Sequence, residues 1–497
     1  MPVSIDTVTQ PGSPAGPAIA GYSAHRIALT GIIAAASIFY LMIIMRGVVF
    51  VDGRAYFTLF DDAMISMRYA KTLASGGGLS WNPSDTPVEG FTNLLWTLWM
   101  AVLHLAPVPE GWASLLVSLS SAACLLAAAV GARKLALALG GSELTSCAAL
   151  TVVAFYYPLA FWSLRGMETG ALAALMVWAM VLALREQGAP NRARIAALCV
   201  MVIALILVRE DAVVFVVVLG GYLGVTGLPK RRMSGVFVLV SAMTALGLLT
   251  GFRWIYFGDI TPNTYTLKVT GVALDERLHR GVSVLFSPIM LRHFALIVIA
   301  LALSVPGLRG WPRPKLLAAS LPIVAFLAQA AYSAFVGGDV WESLGPNRFI
   351  VIAMPGLLAA TLVWVASAIT STRGALGSPR VAGAFILTFA SLIVAMTSAG
   401  PAYAAIRSAP AYVAEDRAAT EAGLCLRGNT ARDARIAVIW AGSMAYYADR
   451  FSIDLLGKMD RKIAASAPKR SFLPGHNKWD YAYSIETYRP DLILQVW

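Results

Sequence analysis

Apolar runs of about 18 to 25 residues recur along most of the sequence, separated by short polar islands, and each is long enough to cross roughly 30 Å of hydrocarbon as a helix. The pattern predicts spans near 27–51, 112–132, 145–163, 170–184, 193–208, 212–228, 234–257, 283–305, 316–336, 349–368 and 381–400, about eleven in all. Inside lipid every backbone N–H and C=O needs an internal partner, so the spans are helices. The stretch 91–106, FTNLLWTLWMAVLHLA, is apolar yet of re-entrant length. It reads as an interfacial or re-entrant helix in a long first outer loop, because counting it as a span inverts every later connection.

Basic residues set the orientation. Arg133/Lys134, Arg185/Arg192/Arg194, Lys230/Arg231/Arg232, Arg309/Arg313/Lys315 and Arg373/Arg380 all fall between spans, and the positive-inside bias puts these connections in the cytoplasm. Residues 1–26, rich in Pro, Ser and Gly and without a basic n-region or cleavage site, read as a disordered cytoplasmic tail. The membrane domain is then 27–400, with 52–111 as its first periplasmic loop, and 401–497 lies outside. The expected class is an all-α polytopic protein of a bacterial inner (plasma) membrane, with a small C-terminal α/β periplasmic domain.

Composition agrees: 58% of the residues are hydrophobic and 13% charged, a balance no soluble chain of this length hides in a core. The net charge of +12 is spread in short clusters between apolar runs, which is not a nucleic-acid footprint. Cys124, Cys147 and Cys199 lie in or beside spans and Cys425 stands alone, so no disulfide framework is expected. The histidines are scattered without a paired metal motif. No cofactor announces itself, and a divalent cation held by carboxylates stays open.

Under this topology the polar, non-basic islands share one face: Asp61 to Asn93, Arg165 to Glu168, Arg209 to Asp211, Gly258 to Lys268 and Gly337 to Arg348. The sharpest is FDDAMISMRYAKTLASGGGLSWNP, residues 60–83. Asp61 and Asp62 open a stretch with Phe60, Met64, Met67, Ala70 and Leu73 at helical spacing. An Asp here is a natural N-cap, which leaves the other free for chemistry. The two point about 100° apart, so one is primary. Arg68 follows Asp61 by two turns on roughly the same face, so a carboxylate and a guanidinium can address one ligand. A carboxylate just outside the membrane suits deprotonation of an acceptor hydroxyl or support of a sugar cation.

Trp81, Asn82, Glu89 and Asn93, in WNPSDTPVEGFTN, combine an aromatic platform, amides and a carboxylate suited to sugar hydroxyls; Trp81 is equally an interfacial anchor. In YFGDITPNTYTLKVTG, residues 256–271, Thr261 and Pro262 open a helix, Asn263 and Tyr265 offer hydrogen bonds, and Lys268 can balance a lipid-linked phosphate. Arg348, after Asp339 in GGDVWESLGPNRF, is the second candidate for that charge, and either cation is also read as a snorkelling side chain. Glu168 and Arg209 complete the islands. Residues 434–497 predict strands at ARIAVIW, FSIDLLG and DLILQVW, with a parallel pair joined by a crossover helix. The AGS after the first strand is a weak anion-loop signal.

DDAMISMRYA, GLSWNP, VEGFTN, ITPNTYTLK, the GGD…RF segment and the late DLLGKMD…PGHNKWD…YRPDLI together resemble the GT-C membrane glycosyltransferases, specifically the mycobacterial terminal arabinofuranosyltransferase and the related pilin arabinofuranosyltransferase. The resemblance runs in order over most of the chain. It implies a GT-C fold whose first outer loop carries the catalytic Asp, here Asp61 with Asp62 beside it. It also implies a decaprenyl- or undecaprenyl-phosphate donor of D-arabinofuranose and a glycan or pilin-like protein acceptor. His476, within PGHNKWD, joins the substrate-binding candidates. The sequence departs at its end, since the mycobacterial enzyme carries a larger outer carbohydrate-binding domain and this chain stops at Trp497; the acceptor is therefore not carried over. A transporter or lipid flippase is the competing class, although midplane ionisable groups and internal repeats are not evident. A binding or assembly protein would use the aspartates as caps alone.

Overall fold

A computed structural model describes residues 17–83, 85–185, 191–226, 229–341, 347–372 and 378–496. Residues 1–16 of the expected tail, Arg373 and Trp497 lie outside the described residues, while 17–26 already belong to the helix Pro17–Met45.

Six helices among the described residues are long and apolar enough to cross a membrane: Arg26–Met45, Glu110–Ala138, Arg232–Phe257, Pro288–Leu308, Arg313–Phe335 and Pro379–Arg407. The pair Glu143–Ala154 and Tyr157–Leu164, bent by 47°, makes a seventh if it is one span. The eleven expected spans therefore correspond to helices of unequal kind. Thr169–Arg185 and Met354–Thr370 are 17 residues each, about 26 Å at the α-helical rise. Both are largely buried by their neighbours, so they need not match the lipid thickness. The expected span 27–51 ends as a helix at Met45, and 48–51 forms a strand instead. The expected span 283–305 is broken because Ser287 caps a new helix, accepting from the Met290 N–H, with Pro288 at its first position.

The stretch 91–106 forms a helix of 11 residues, Leu94–His104, about 16 Å long and half the hydrocarbon thickness. Its outer face exposes Leu98, Trp99, Val102 and Leu105.

The helix Glu110–Ala138 separates two ends. At one, Lys134 and Arg185 line a shared hollow, the Gly140 turn meets Lys315, and Gly307 abuts Ser371. The connections bearing these basic residues thus cluster. At the other end Glu110 pairs with Lys71 and Arg427, and there the remaining elements gather. A hairpin pairs β1 (Val48–Val51) with β2 (Arg54–Phe57) antiparallel, Val48 opposite Phe57. It leads into the helix Asp61–Ala74.

The C-terminal unit caps that end. The helix Pro379–Arg407 runs past residue 400 through a π turn at Ala395–Ala399, so the unit begins after it, with the helix Val413–Asn429. Its sheet has the order β4-β3-β5, from β3 (Arg435–Val438), β4 (Phe451–Asp454) and β5 (Leu492–Ile493), and every pairing is parallel. The expected parallel pair is there, with a short helix Ser443–Ala448 in the crossover, and the strand expected at DLILQVW forms as β5 on the other side of β3. None of the four cysteines, all among the described residues, forms a disulfide.

Candidate active site

The helix Asp61–Ala74 starts from Phe60, an extended residue that gives no side-chain cap. The Phe60 N–H instead donates to the Arg165 carbonyl at 2.9 Å. Neither aspartate therefore caps the helix, and both carboxylates look elsewhere. Met64, Met67 and Ala70 are buried below them and anchor the helix to the bundle.

The Asp61 carboxylate accepts from two backbone N–H groups of the C-terminal unit, Ser443 at 2.9 Å and Gly442 at 3.2 Å. Asp62 points to a different set: it accepts from Arg348 at 2.7 Å and from Lys458 at 3.3 Å. Arg348 grips Asp339 through Nε and Nη2 at 2.8 and 2.9 Å and lies 5.2 Å from the Trp162 ring. The Asn263 amide donates to the carbonyls of Gly457 and Lys458 at 3.0 and 2.8 Å, which fixes the turn that delivers Lys458. Lys268 stands beside this cluster, within the field of Arg348, Asp62, Asp339 and Arg209, and none of the described residues hydrogen-bonds its ammonium. An aromatic wall adjoins the ions: Trp341 lies 5.2 Å from Phe60, 5.0 Å from Tyr412, 6.0 Å from Trp440 and 6.1 Å from His476.

Environment separates the two aspartates. Burial pushes the Asp61 carboxyl up to about 6, against the pull of Lys458 and the two N–H donors. Burial acts on Asp62 too, but Lys458 and Arg348 outweigh it and hold that carboxyl well below the usual range. Asp61 thus has the pKa of a base working near neutrality, and Asp62 stays a fixed anion. Burial, then Arg348, lowers Lys268 to about 8, so it is mostly charged at pH 7 and titrates just above. Burial and Lys458 lower His476 to about 4, leaving a neutral ring. Among the described residues no three His, Cys, Asp or Glu side chains converge as metal ligands.

No curated protein matches the sequence. Residues 404–496 match a family described as Domain of unknown function (DUF8728). The structure is similar to ArnT from Cupriavidus metallidurans bound to undecaprenyl phosphate, with a TM-score of 0.57 and 12% identity over 84% of each chain. The apo state of that protein gives 0.56 and 14% identity over 89% of this chain and 87% of that one. The apo oligosaccharyltransferase of Archaeoglobus fulgidus gives 0.51 and 11% identity, covering 86% of this chain and 64% of that one. The chain has the GT-C fold. At these identities the likeness establishes architecture and selects no donor sugar.

Within that GT-C fold several expected ligand contacts turn out to be internal joints. Arg68 is 5% exposed and spends its guanidinium on the carbonyls of Trp81 (2.7 Å), Arg450 (2.8 Å) and Ala445 and on the Asn82 amide oxygen (2.7 Å). Trp81, 4% exposed, lies under that guanidinium at 4.6 Å and offers no platform. Asn82 behaves as a strand edge, accepting from the Ser452 N–H at 3.0 Å and donating to its carbonyl at 2.9 Å. Glu89 is locked to Arg253. Asn93 accepts from Ser66 at 2.9 Å and donates to Glu168 at 2.9 Å, and Glu168 in turn pairs with Arg209, which also holds Asp211. Arg68, Asn82, Glu89 and Asn93 are polar groups whose burial demands a partner, and the fold supplies that partner from the protein. Tyr265 is exposed. Asp61, Asp62, Lys268, Asp339, Arg348 and His476 do converge, with Asn263 in support.

Sequence reasoning missed Lys458, Trp341 and Trp440, and the buried pair of Arg165 with Asp416. Lys458 sits inside the quoted DLLGKMD and Trp440 directly before AGS. That signal was present, but only the docking of the C-terminal unit on the Asp61 helix gives it meaning.

Proposed function

We propose that this chain is a polyprenyl-phosphate-dependent glycosyltransferase acting on the periplasmic face of a bacterial plasma membrane. The observation that carries the reading is one ionic cluster at one end of a GT-C bundle, holding a carboxyl poised near neutrality, Asp61, and a cation with no hydrogen-bonded partner among the described residues, Lys268. The similar fold of an ArnT crystallised with undecaprenyl phosphate supports a lipid-phosphate donor.

In this reading Asp61 takes the proton of an acceptor hydroxyl as its oxygen bonds to the anomeric carbon. The bond from that carbon to the phosphate oxygen breaks, and polyprenyl phosphate leaves with the electron pair. Lys268, with Arg348 behind it, stabilises the charge that develops on the departing phosphate. Asp62 and Asp339 hold Arg348 and Lys458 in place. The sequence motifs favour D-arabinofuranose as the sugar and a glycan or pilin-like protein as the acceptor. The basic residues at the far end of the bundle support the orientation.

The test uses purified protein, a labelled polyprenyl-phosphate arabinofuranose and, in parallel, polyprenyl-phosphate mannose. The reading expects label to leave the lipid and appear in a glycan or protein fraction. Folded protein that releases label from neither donor overturns it.

A further inference from the structure

The C-terminal unit matches a family of unknown function, yet several of its bonds reach the helix that bears the proposed base. The turn after β3 gives two N–H groups to Asp61, the turn after β4 gives Lys458 to Asp62, and the carbonyls of Ala445 and Arg450 take the Arg68 guanidinium two turns further along. We propose that this unit is a positioning module for the active-site carboxylate, with Gly442 and the Ser443 N–H as the residues that aim Asp61. The inference rests on the reading of Asp61 as the base.

Three observations carry it. First, the two carboxylate oxygens are held by separate donors, Oδ2 by Gly442 and Oδ1 by Ser443, so the rotation of the carboxylate plane is set as well as its place. One lone pair on each oxygen stays available for an acceptor proton. Second, the approach leaves no room for a side chain. A Cβ on Gly442 would come within 2.6 Å of Asp61 Oδ1 and closer still to the Asp61 carbonyl oxygen, so any other residue pushes the turn off the carboxylate. Third, the same two elements are joined by independent bonds through Arg68 and Asn82, so the turn is held against the helix whether or not Asp61 is ionised.

A donor aimed at a carboxylate favours its charged form, so loss of the N–H pair raises the Asp61 pKa. The charged groups facing Asp61 are Asp62 on its own helix, Lys458 from the turn after β4, and Asp416 from the helix Val413–Asn429, itself paired to Arg165. Gly442→Ala replaces none of these charged side chains.

The experiment is Gly442→Ala in the full chain, compared with wild type for thermal stability, donor KM, kcat and the pH dependence of kcat/KM. The expected result is a folded protein whose donor KM stays within about threefold, whose kcat falls by about 10²-fold from the displaced carboxylate, and whose acid limb moves upward from about 6. A folded variant with an unmoved acid limb and near-normal kcat overturns the proposal. Ser443→Pro is the second variant: it removes the 2.9 Å donor at the first helical position. If Gly442→Ala does not fold, the limb of Ser443→Pro decides on the same terms. An active Asp61→Asn protein would defeat the reading of Asp61 as base, whereas an inactive one beside an unshifted Gly442→Ala would defeat the positioning role alone.

Discussion

In the proposed reading, two adjacent aspartates with opposite surroundings divide the labour of the site. Asp61 must be ionised to accept a proton, so activity is expected to fall as pH drops through about 6. Lys268 must be protonated to meet a phosphate, so activity is expected to fall as pH rises through about 8. The account therefore predicts a bell-shaped kcat/KM profile with limbs near these values, since that profile reports the free enzyme. Lys268→Arg should move the alkaline limb upward because a guanidinium does not titrate in that range. Lys268→Met should raise donor KM and lower kcat while leaving acceptor KM near wild type. Normal donor kinetics in Lys268→Met would place the phosphate elsewhere. At this scale the sequence was half legible. The residue types and their islands were readable, but a buried Arg68 and a poised Asp61 look alike in a string of letters, and only the partners separate them.

The elements that carry the site are held by polar joints. Arg68 bridges the helix Asp61–Ala74, the loop at Trp81–Asn82 and the C-terminal unit, all with its charge buried. Arg68→Ala would leave those neutral acceptors unpaired, and stranding a buried group of this kind costs about 1–3 kcal/mol. A clear drop in the melting temperature of the detergent-solubilised protein is expected. A melting temperature equal to wild type would show the joint to be dispensable. Helix existence was legible here because apolar runs dictate it. Helix breaks were less so: the break at Tyr156 follows from the nearby Pro158 and that at Ser287 from its own cap and Pro288, which a hydropathy average smooths over. The parallel sheet was readable as alternating short apolar runs.

For the whole molecule, orientation is the open consequence of the charge pattern. With the native cysteines replaced, an impermeant thiol reagent applied to intact cells should label a cysteine at Asp85 and not one at Arg231. Labelling at 231 would invert the topology and put the site in the cytoplasm. The GT-C architecture was legible from motifs scattered across the chain. What stayed hidden was the meeting of residues nearly four hundred positions apart: Asp61 with Gly442, and Asp62 with Lys458. No local pattern records such a contact.

The central claim is that Asp61 is the base of a sugar transfer from a lipid phosphate. The most direct measurement is single-turnover transfer from labelled polyprenyl-phosphate arabinofuranose by wild type and by Asp61→Asn, each shown to be folded by thermal melting. The account predicts unchanged stability within a few degrees and a transfer rate lower by about 10²- to 10⁴-fold in the variant. A folded Asp61→Asn protein that transfers at the wild-type rate would contradict it.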